Sequence, residues 1–142
     1  MSLLITQIEY ESLMQLLKEF KERNPLSLKE HWSREIIAPE TGDSFMLDFY
    51  NGRIEFKKFS INKRYRNTII LIRYCSHGVH TNPDGIQFTG SHLHLYKEGF
   101  DDKFAVGIGT IGATSSSTIV EVLEKFLDYC KIQRISISAT LL

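Results

Sequence analysis

The sequence predicts a single α+β domain, residues 1–142, in which an antiparallel β-meander carries an N-terminal and a C-terminal helix on one face. Short segments rich in β-branched and aromatic residues follow one another through the middle of the chain, which is typical of antiparallel strands. One amphipathic segment precedes them and one follows, and each must bury its apolar face. The length of 142 residues, with 42% hydrophobic and 24% charged residues, fits one globular domain.

The N-terminal helix is predicted from a capping box, in which the hydroxyl of Thr6 accepts a backbone N–H and Glu9 reaches back to the cap. Apolar residues then recur at helical spacing as far as Phe20. Asn24-Pro25 predicts the end of the helix, because proline disfavours helical geometry in the residue before it. The segment 28–37 fits either a short capped helix or a strand from Trp32 onwards, and we favour the strand.

The middle of the chain predicts a series of strands. Asn51-Gly52 between two apolar runs is a strong hairpin signal, because both residues tolerate positive φ. The predicted strands are 45–49, 54–56, Thr68–Tyr74, His92–Tyr96 and 104–108, with a polar turn between the third and the fourth.

The C-terminal helix begins at a second capping box, formed by Thr118 and Glu121. Apolar residues follow with a helical period as far as Cys130, so the segment should bury one face. The alternation in Ile135–Ser138 predicts a last edge strand.

Targeting and redox patterns indicate a cytoplasmic protein without a membrane partner. No apolar run approaches the roughly 20 residues that a membrane span needs, and the N-terminus lacks a basic segment followed by an apolar core. The two cysteines, Cys75 and Cys130, need no disulfide and do not have the spacing of a zinc or redox motif.

The net charge of zero conceals a basic segment between Arg53 and Arg73, which contains seven basic residues and one acid. A local positive field can attract phosphate backbones even when the net charge is nil. Alternatively, these basic residues only form a solvent-exposed strand face and loop that bind no nucleic acid. The predicted nucleic-acid-binding residues are Lys57, Lys58, Lys63, Arg64 and Arg66.

Several motifs in the middle of the chain resemble those of a family of small uncharacterised bacterial and phage-borne proteins. The matching residues are Asp48, Gly52-Arg53-Ile54, Arg66, Arg73, His80-Thr81-Asn82-Pro83-Asp84-Gly85, His92-Leu93-His94-Leu95-Tyr96, Glu98-Gly99 and Asp102-Lys103-Phe104-Ala105. Cys75-Ser76 stands where an acid is frequent in that family. The resemblance implies a phage or mobile-element setting and assigns no activity.

Four of the five histidines lie between His77 and His94. In an extended strand His92, His94 and Tyr96 share one face, and the preceding loop can bring His80 to them. We expect these four residues to lie on the sheet face that the two helices leave open. Three interpretations are open. The rings are structural, with their nitrogens donating to carbonyls; His80, His92 and His94 bind zinc; or the histidines perform acid–base chemistry on RNA.

The leading hypothesis is a nucleic-acid-directed module, a metal-independent RNase-like toxin or a phage accessory protein that acts on RNA or single-stranded nucleic acid beside an antitoxin-like partner. Its predicted catalytic residues are His80, His92, His94, Arg73, Tyr96 and Lys103. The arginine and the lysine would stabilise the charge of the phosphorane. This hypothesis needs no cofactor, and its alternative is a non-catalytic protein-binding or metal-binding module with zinc. Whether the protein is an enzyme, the sequence leaves open.

Overall fold

The computed structural model describes residues 4–51 and 58–138. The helical elements are α1 (Gln7–Gln15), a 3-10 turn (Ile108–Ile111) and α2 (Ile119–Tyr129). The strands are β1 (Glu19–Phe20), β2 (Leu26–Ser27), β3 (Trp32–Ile37), β4 (Ser44–Asn51), β5 (Phe59–Tyr65), β6 (Ile69–Cys75), β7 (Val79–Thr81), β8 (Gln87–Thr89), β9 (His92–Lys97), β10 (Asp101–Val106) and β11 (Ile137–Ser138). No helix among the described residues is long and apolar enough to cross a bilayer.

The main sheet has seven antiparallel strands in the order β1-β3-β4-β5-β6-β9-β10. The meander is interrupted twice: between β1 and β3, where β2 belongs to another sheet, and between β6 and β9, where β7 and β8 form a separate hairpin. Strand β11 pairs in parallel with β2 in a second small sheet. This arrangement confirms the predicted α+β meander with one helix before it and one after it.

Both helices contribute to one hydrophobic core with the main sheet. Tyr10 and Leu13 of α1 and Phe126 and Leu127 of α2 are buried in it. Both predicted capping boxes are present, because in each the threonine hydroxyl accepts the N–H of the third helical residue and the glutamate accepts the N–H of the cap.

The N-terminus of α1 is fastened to the turn between β9 and β10. The backbone N–H of Gln7 donates to the Glu98 carboxylate at 2.7 Å, and the N–H of Glu98 donates to the Gln7 side-chain carbonyl at 2.9 Å. The Tyr96 hydroxyl donates to the backbone carbonyl of Ile5. These bonds position a short helix against a strand far away in sequence.

The strand register divides the side chains of the sheet into two faces. Lys63, Ile72 and Leu95 are cross-strand neighbours on the face that the helices cover. On the opposite face a polar row crosses the sheet through Ser33, Asp48, Asn62, Arg73 and His94. This second face carries the residues of chemical interest.

Two lysines lie in the interior between the helices and the sheet. The Lys18 ammonium donates to the carbonyls of Leu16 and Cys130 at 2.7 and 2.8 Å, so it caps the C-terminal ends of both helices. Lys63 is wholly buried, and its ammonium lies 3.6 Å from the Met14 sulfur. Burial lowers the pKa of both lysines, because a charged amine loses its hydration in the core.

Helix α1 is shorter than the sequence predicts. It ends at Gln15, and Phe20 instead belongs to β1, where it pairs with Ile36 and is buried. The physical reason is that the Lys18 ammonium binds the carbonyls at the C-terminal ends of α1 and α2. The residues after Lys18 then form backbone hydrogen bonds with β3 instead of continuing the helix. The strand interpretation of 32–37 is confirmed.

Strand β5 is absent from the predicted elements, because Lys63 at a core-facing position interrupts its apolar alternation. It pairs with β4 from Phe45↔Tyr65 to Asn51↔Phe59, so the two strands do form an antiparallel pair. The predicted turn at Gly52 and the predicted strand 54–56 lie outside the described residues. The segment predicted as a polar turn contains the β7–β8 hairpin.

Candidate metal centre

A cluster of metal-binding side chains lies where β6 meets β9 on the second face of the sheet. Cys75 is the direct cross-strand partner of His92, and Arg73 is the partner of His94. Residues opposite each other on antiparallel strands have Cβ atoms about 5 Å apart. The donor atoms of Cys75, His92 and His94 accordingly lie within 4.8 Å of one another.

Backbone carbonyls fix the orientation of both strand imidazoles. The Nδ1–H of His92 donates to Gly90 O at 2.9 Å, and the Nδ1–H of His94 donates to Asp102 O at 2.8 Å. Because a carbonyl only accepts, Nδ1 carries the proton in each ring and Nε2 keeps its lone pair when the ring is neutral. Within 4–51 and 58–138 no hydrogen bond uses either Nε2.

His80 approaches the cluster from the β7–β8 hairpin. Its ring centroid lies 4.5 Å from that of His94 and 5.9 Å from that of His92. Its Nε2–H donates to the backbone carbonyl of Lys103 at 2.7 Å, which leaves its Nδ1 with a lone pair. His80 is not a member of the convergent trio, so the structure places it beside the three donors.

The hairpin is held down by Asn82, whose side chain imitates a neighbouring strand. Its amide donates to Ala105 O at 2.9 Å, and its carbonyl accepts the Ala105 N–H at 2.7 Å. Gly78 and Gly90 begin and end the hairpin with φ of +105° and +86°, a conformation that glycine adopts without strain. The sheet face beside the histidines is therefore covered, and the expectation of an open face here is corrected.

Burial and a nearby cation keep the imidazole of His94 neutral. His92 and His94 are 4% and 2% exposed. Burial and then the positive charge of Arg73 lower the pKa of His94 to about 4. Burial raises the pKa of the Cys75 thiol, and Arg73 opposes that shift. At neutral pH His94 is therefore a neutral imidazole, with its proton on Nδ1 and a lone pair on Nε2.

Arg73 lies at the rim of the cluster with incomplete hydrogen bonding. Its guanidinium is 3.4 Å from the Asp102 carboxylate, and its side chain is 32% exposed. Its Nε–H is buried without a partner among the described residues, as is the side-chain carbonyl oxygen of its cross-strand neighbour Asn62. An unpaired buried donor and an unpaired buried acceptor thus lie on adjacent strands.

The remaining predicted catalytic residues do not join the cluster through their side chains. Tyr96 is buried, donates to Ile5 O and packs against Tyr10 in a tilted arrangement with 5.5 Å between ring centroids. Lys103 contributes its backbone carbonyl to His80, and its side chain is exposed. The structure thus brings together His80, His92, His94 and Arg73 of the predicted set.

The predicted nucleic-acid-binding residues are dispersed. Lys63 faces the core, which corrects its predicted contact with phosphate. Arg64 donates to both carboxylate oxygens of the buried Asp48. Lys58 and Arg66 are exposed, and Lys57 lies outside the described residues.

Three residues of the site are absent from the predicted set: Cys75, Asn82 and Asp102. Cys75 and Asp102 acquire their positions from strand register, which a single sequence does not display. Asn82 is part of the Asn-Pro-Asp-Gly sequence, which predicts only a turn. The sequence does not indicate that its side chain binds the backbone of Ala105.

Comparison with protein-family models gives a match over residues 5–132, to a family described as "Family of unknown function (DUF6978)". Neither the curated proteins nor the solved structures contain a match to this chain. The site must therefore be interpreted from its own geometry.

Proposed function

Since the chain belongs to the DUF6978 family of unknown function, membership assigns no activity, and we propose that this protein binds one zinc-class transition-metal ion through Cys75, His92 and His94. The observation that carries the proposal is the convergence of their three donor atoms within 4.8 Å. The proposal concerns metal binding, and it adopts the alternative that the sequence leaves open beside nucleic-acid chemistry.

The orientation of the two imidazoles supports metal binding. Histidines that bind metals almost always donate their second ring nitrogen to a carbonyl or carboxylate, which fixes the tautomer and directs the lone pair. His92 and His94 each have such a bond, to Gly90 O and Asp102 O. A purely structural pair would need only those bonds, whereas each of these rings also has a donor nitrogen within 4.8 Å of the Cys75 sulfur.

The chemistry of the donors favours zinc over hard cations. Thiolate and imidazole suit Zn²⁺ and copper, whereas Mg²⁺ and Ca²⁺ require oxygen ligands. Zinc binds sulfur at about 2.3 Å and nitrogen at about 2.0–2.1 Å in a tetrahedral arrangement. Three protein donors leave a fourth position for a ligand from outside the trio. His80 is not one of the convergent donors.

Acid–base cleavage of RNA is less well supported by this site. A general acid must carry a proton at working pH, and the lowered pKa of His94, about 4, leaves that ring neutral. Both strand imidazoles are also almost wholly buried, so a phosphodiester would have to displace the hairpin to reach them.

The proposal is tested by titrating chelator-treated, tag-free protein with Zn²⁺ and Co²⁺ and measuring stoichiometry by elemental analysis and absorbance. We expect one ion per chain, with thiolate-to-cobalt charge-transfer absorption that reports Cys75. An ion present at 100 times its dissociation constant should raise the free energy of unfolding by about 2.7 kcal/mol.

Cys75→Ser and His94→Ala should each abolish tight binding. His77→Ala is the matched control, because His77 is exposed and lies between β6 and the hairpin. Among the described residues, its side chain hydrogen-bonds the Ser76 hydroxyl at 3.1 Å and no other group. Absence of stoichiometric binding by the natural chain, or equal binding by Cys75→Ser, would contradict the proposal.

A further inference from the structure

The proposed metal site has an arginine at its edge whose charge is only partly compensated. A divalent ion held by the Cys75 thiolate, together with Arg73 and Asp102, leaves one unbalanced positive charge. An uncompensated charge in a partly buried site is costly, and an anion at the vacant coordination position would remove it.

We infer that this centre takes an oxyanion as an exogenous ligand, coordinated at the fourth metal position and held by the Arg73 guanidinium. The inference rests on the proposed metal site and adds its ligand class. Arginine presents its N–H groups in a fork that fits phosphate and carboxylate oxygens. The shared chemistry is therefore a phosphoryl or carboxyl group.

The hydrogen bonding of Arg73 supplies an independent reason. Its Nε–H is buried and has no partner in the described part of the chain, although one edge of its guanidinium faces Asp102 at 3.4 Å. Buried donors without partners are rare and costly, so their presence indicates an absent acceptor. The side-chain oxygen of Asn62 is also unpartnered, and a flip of this amide would direct its NH₂ group, a donor, to the same ligand.

Access to this position comes from the side of Arg73. The side chains of Arg73 and Asp102 are 32% and 26% exposed, and Cys75 is half-buried, whereas His92 and His94 lie beneath the hairpin. A small oxyanion can thus reach the metal past the arginine. The hairpin that covers His92 and His94 does not have to move for this ligand to bind.

The test uses the full-length protein loaded with one equivalent of Co²⁺, whose visible spectrum changes when its ligands change. Inorganic phosphate and acetate are added separately at constant ionic strength, with perchlorate as the salt control. We expect a saturable spectral change with phosphate, acetate or both, and the response identifies which source of oxyanion the site prefers.

Arg73→Gln gives a paired signature that a structural role would not produce. Removal of the neighbouring positive charge should strengthen Co²⁺ binding by roughly tenfold, while the oxyanion response is lost. Arg23→Gln is the matched control, since Arg23 is exposed and its ion pair with Glu19 lies on another part of the surface.

The outcomes separate the two proposals. If the natural chain binds no Co²⁺, the metal site itself is refuted. If it binds Co²⁺ and neither oxyanion alters the spectrum, the oxyanion inference fails while the metal site stands. A response that persists unchanged in Arg73→Gln also overturns the inference, and Arg73→Lys, with charge but no fork, should respond weakly if the inference holds.

Discussion

The lysine pair in the core yields the strongest prediction about stability: Lys63→Met should stabilise the protein. Lys63 is wholly buried, and its ammonium contacts the Met14 sulfur at 3.6 Å and lies 4.6 Å from the centroid of the Phe45 ring. None of these groups replaces the hydration that a charged amine loses. Methionine has a similar length and suits this apolar site.

The magnitude follows from proton linkage. Burial and the repulsion of Lys63 lower the pKa of Lys18 to about 6, and the pKa of Lys63 is also lowered, so the pair lacks one proton in the folded state at neutral pH. Each unfolded lysine titrates near pH 10.4, so neutralising one amine at pH 7 costs about 4–5 kcal/mol. Lys63→Met removes one amine and its repulsion of Lys18 but leaves the burial of Lys18, so we expect it to recover part of this cost and to stabilise the protein.

The sign with pH is also fixed. Because the folded-state pKa is below the unfolded value, the unfolded chain binds more protons, and stability rises with pH from about 6 towards about 10. Between about pH 6.5 and 8.5 the slope should be about 1.4 kcal/mol per pH unit. Below this window the lowered pKa of His94 adds a slope of the same sign, and above it the raised pKa of Cys130 opposes it.

The assay is urea denaturation at several pH values in this window, with a chelator present so that metal binding does not contribute. Lys63→Met should have a weaker slope, because the repulsion of Lys18 by Lys63 is lost. The exposed Lys29→Met should keep both the slope and the natural stability within about 0.5 kcal/mol. A natural chain without pH dependence, together with a destabilised Lys63→Met, would refute the reasoning and indicate a charged, compensated lysine.

Three further predictions concern the second sheet face and its surroundings. Asp48→Ala should lower the free energy of unfolding by about 1–3 kcal/mol, because Arg64 and Ser33 lose a buried hydrogen-bond partner; chemical denaturation measures this. Asn82→Ala should cost about 1–3 kcal/mol and accelerate amide hydrogen exchange in the hairpin, because two buried backbone groups lose their partner. If the protein binds RNA through its basic segment, Lys58→Ala with Arg66→Ala should reduce the salt dependence of affinity measured by fluorescence anisotropy, and an unchanged slope would exclude these residues.

The sequence predicts local features of the fold well, because their causes are local. The capping boxes at Thr6 and Thr118 depend on contacts three residues apart, and both are present. The predicted strands 68–74 and 92–96 contain enough β-branched or alternating residues to be identified without their neighbours. Strand β5 is not predicted, because Lys63 is buried only through its tertiary contacts and strand propensities do not include such contacts.

The candidate site is predicted only in part for a related reason. The side-by-side placement of His92 and His94 follows from the two-residue period of a strand, and their proximity to His80 follows from a short connection. Cys75 joins them because β6 and β9 pair in one particular register across an intervening hairpin. A shift of one residue would point the thiol to the opposite face, and the sequence alone does not fix that register.

The fastening of α1 to the β9–β10 turn has a consequence for biosynthesis. Gln7 and Glu98 are 91 positions apart, so the helix is made long before its anchor. At about 5–20 residues per second the ribosome needs roughly 5–20 s to supply that anchor. During this interval the apolar side of α1 lacks its native cover, and contacts of such long sequence separation also slow folding after release. The apolar residues of the nascent helix therefore stay without their native partners until the chain has been made as far as Glu98.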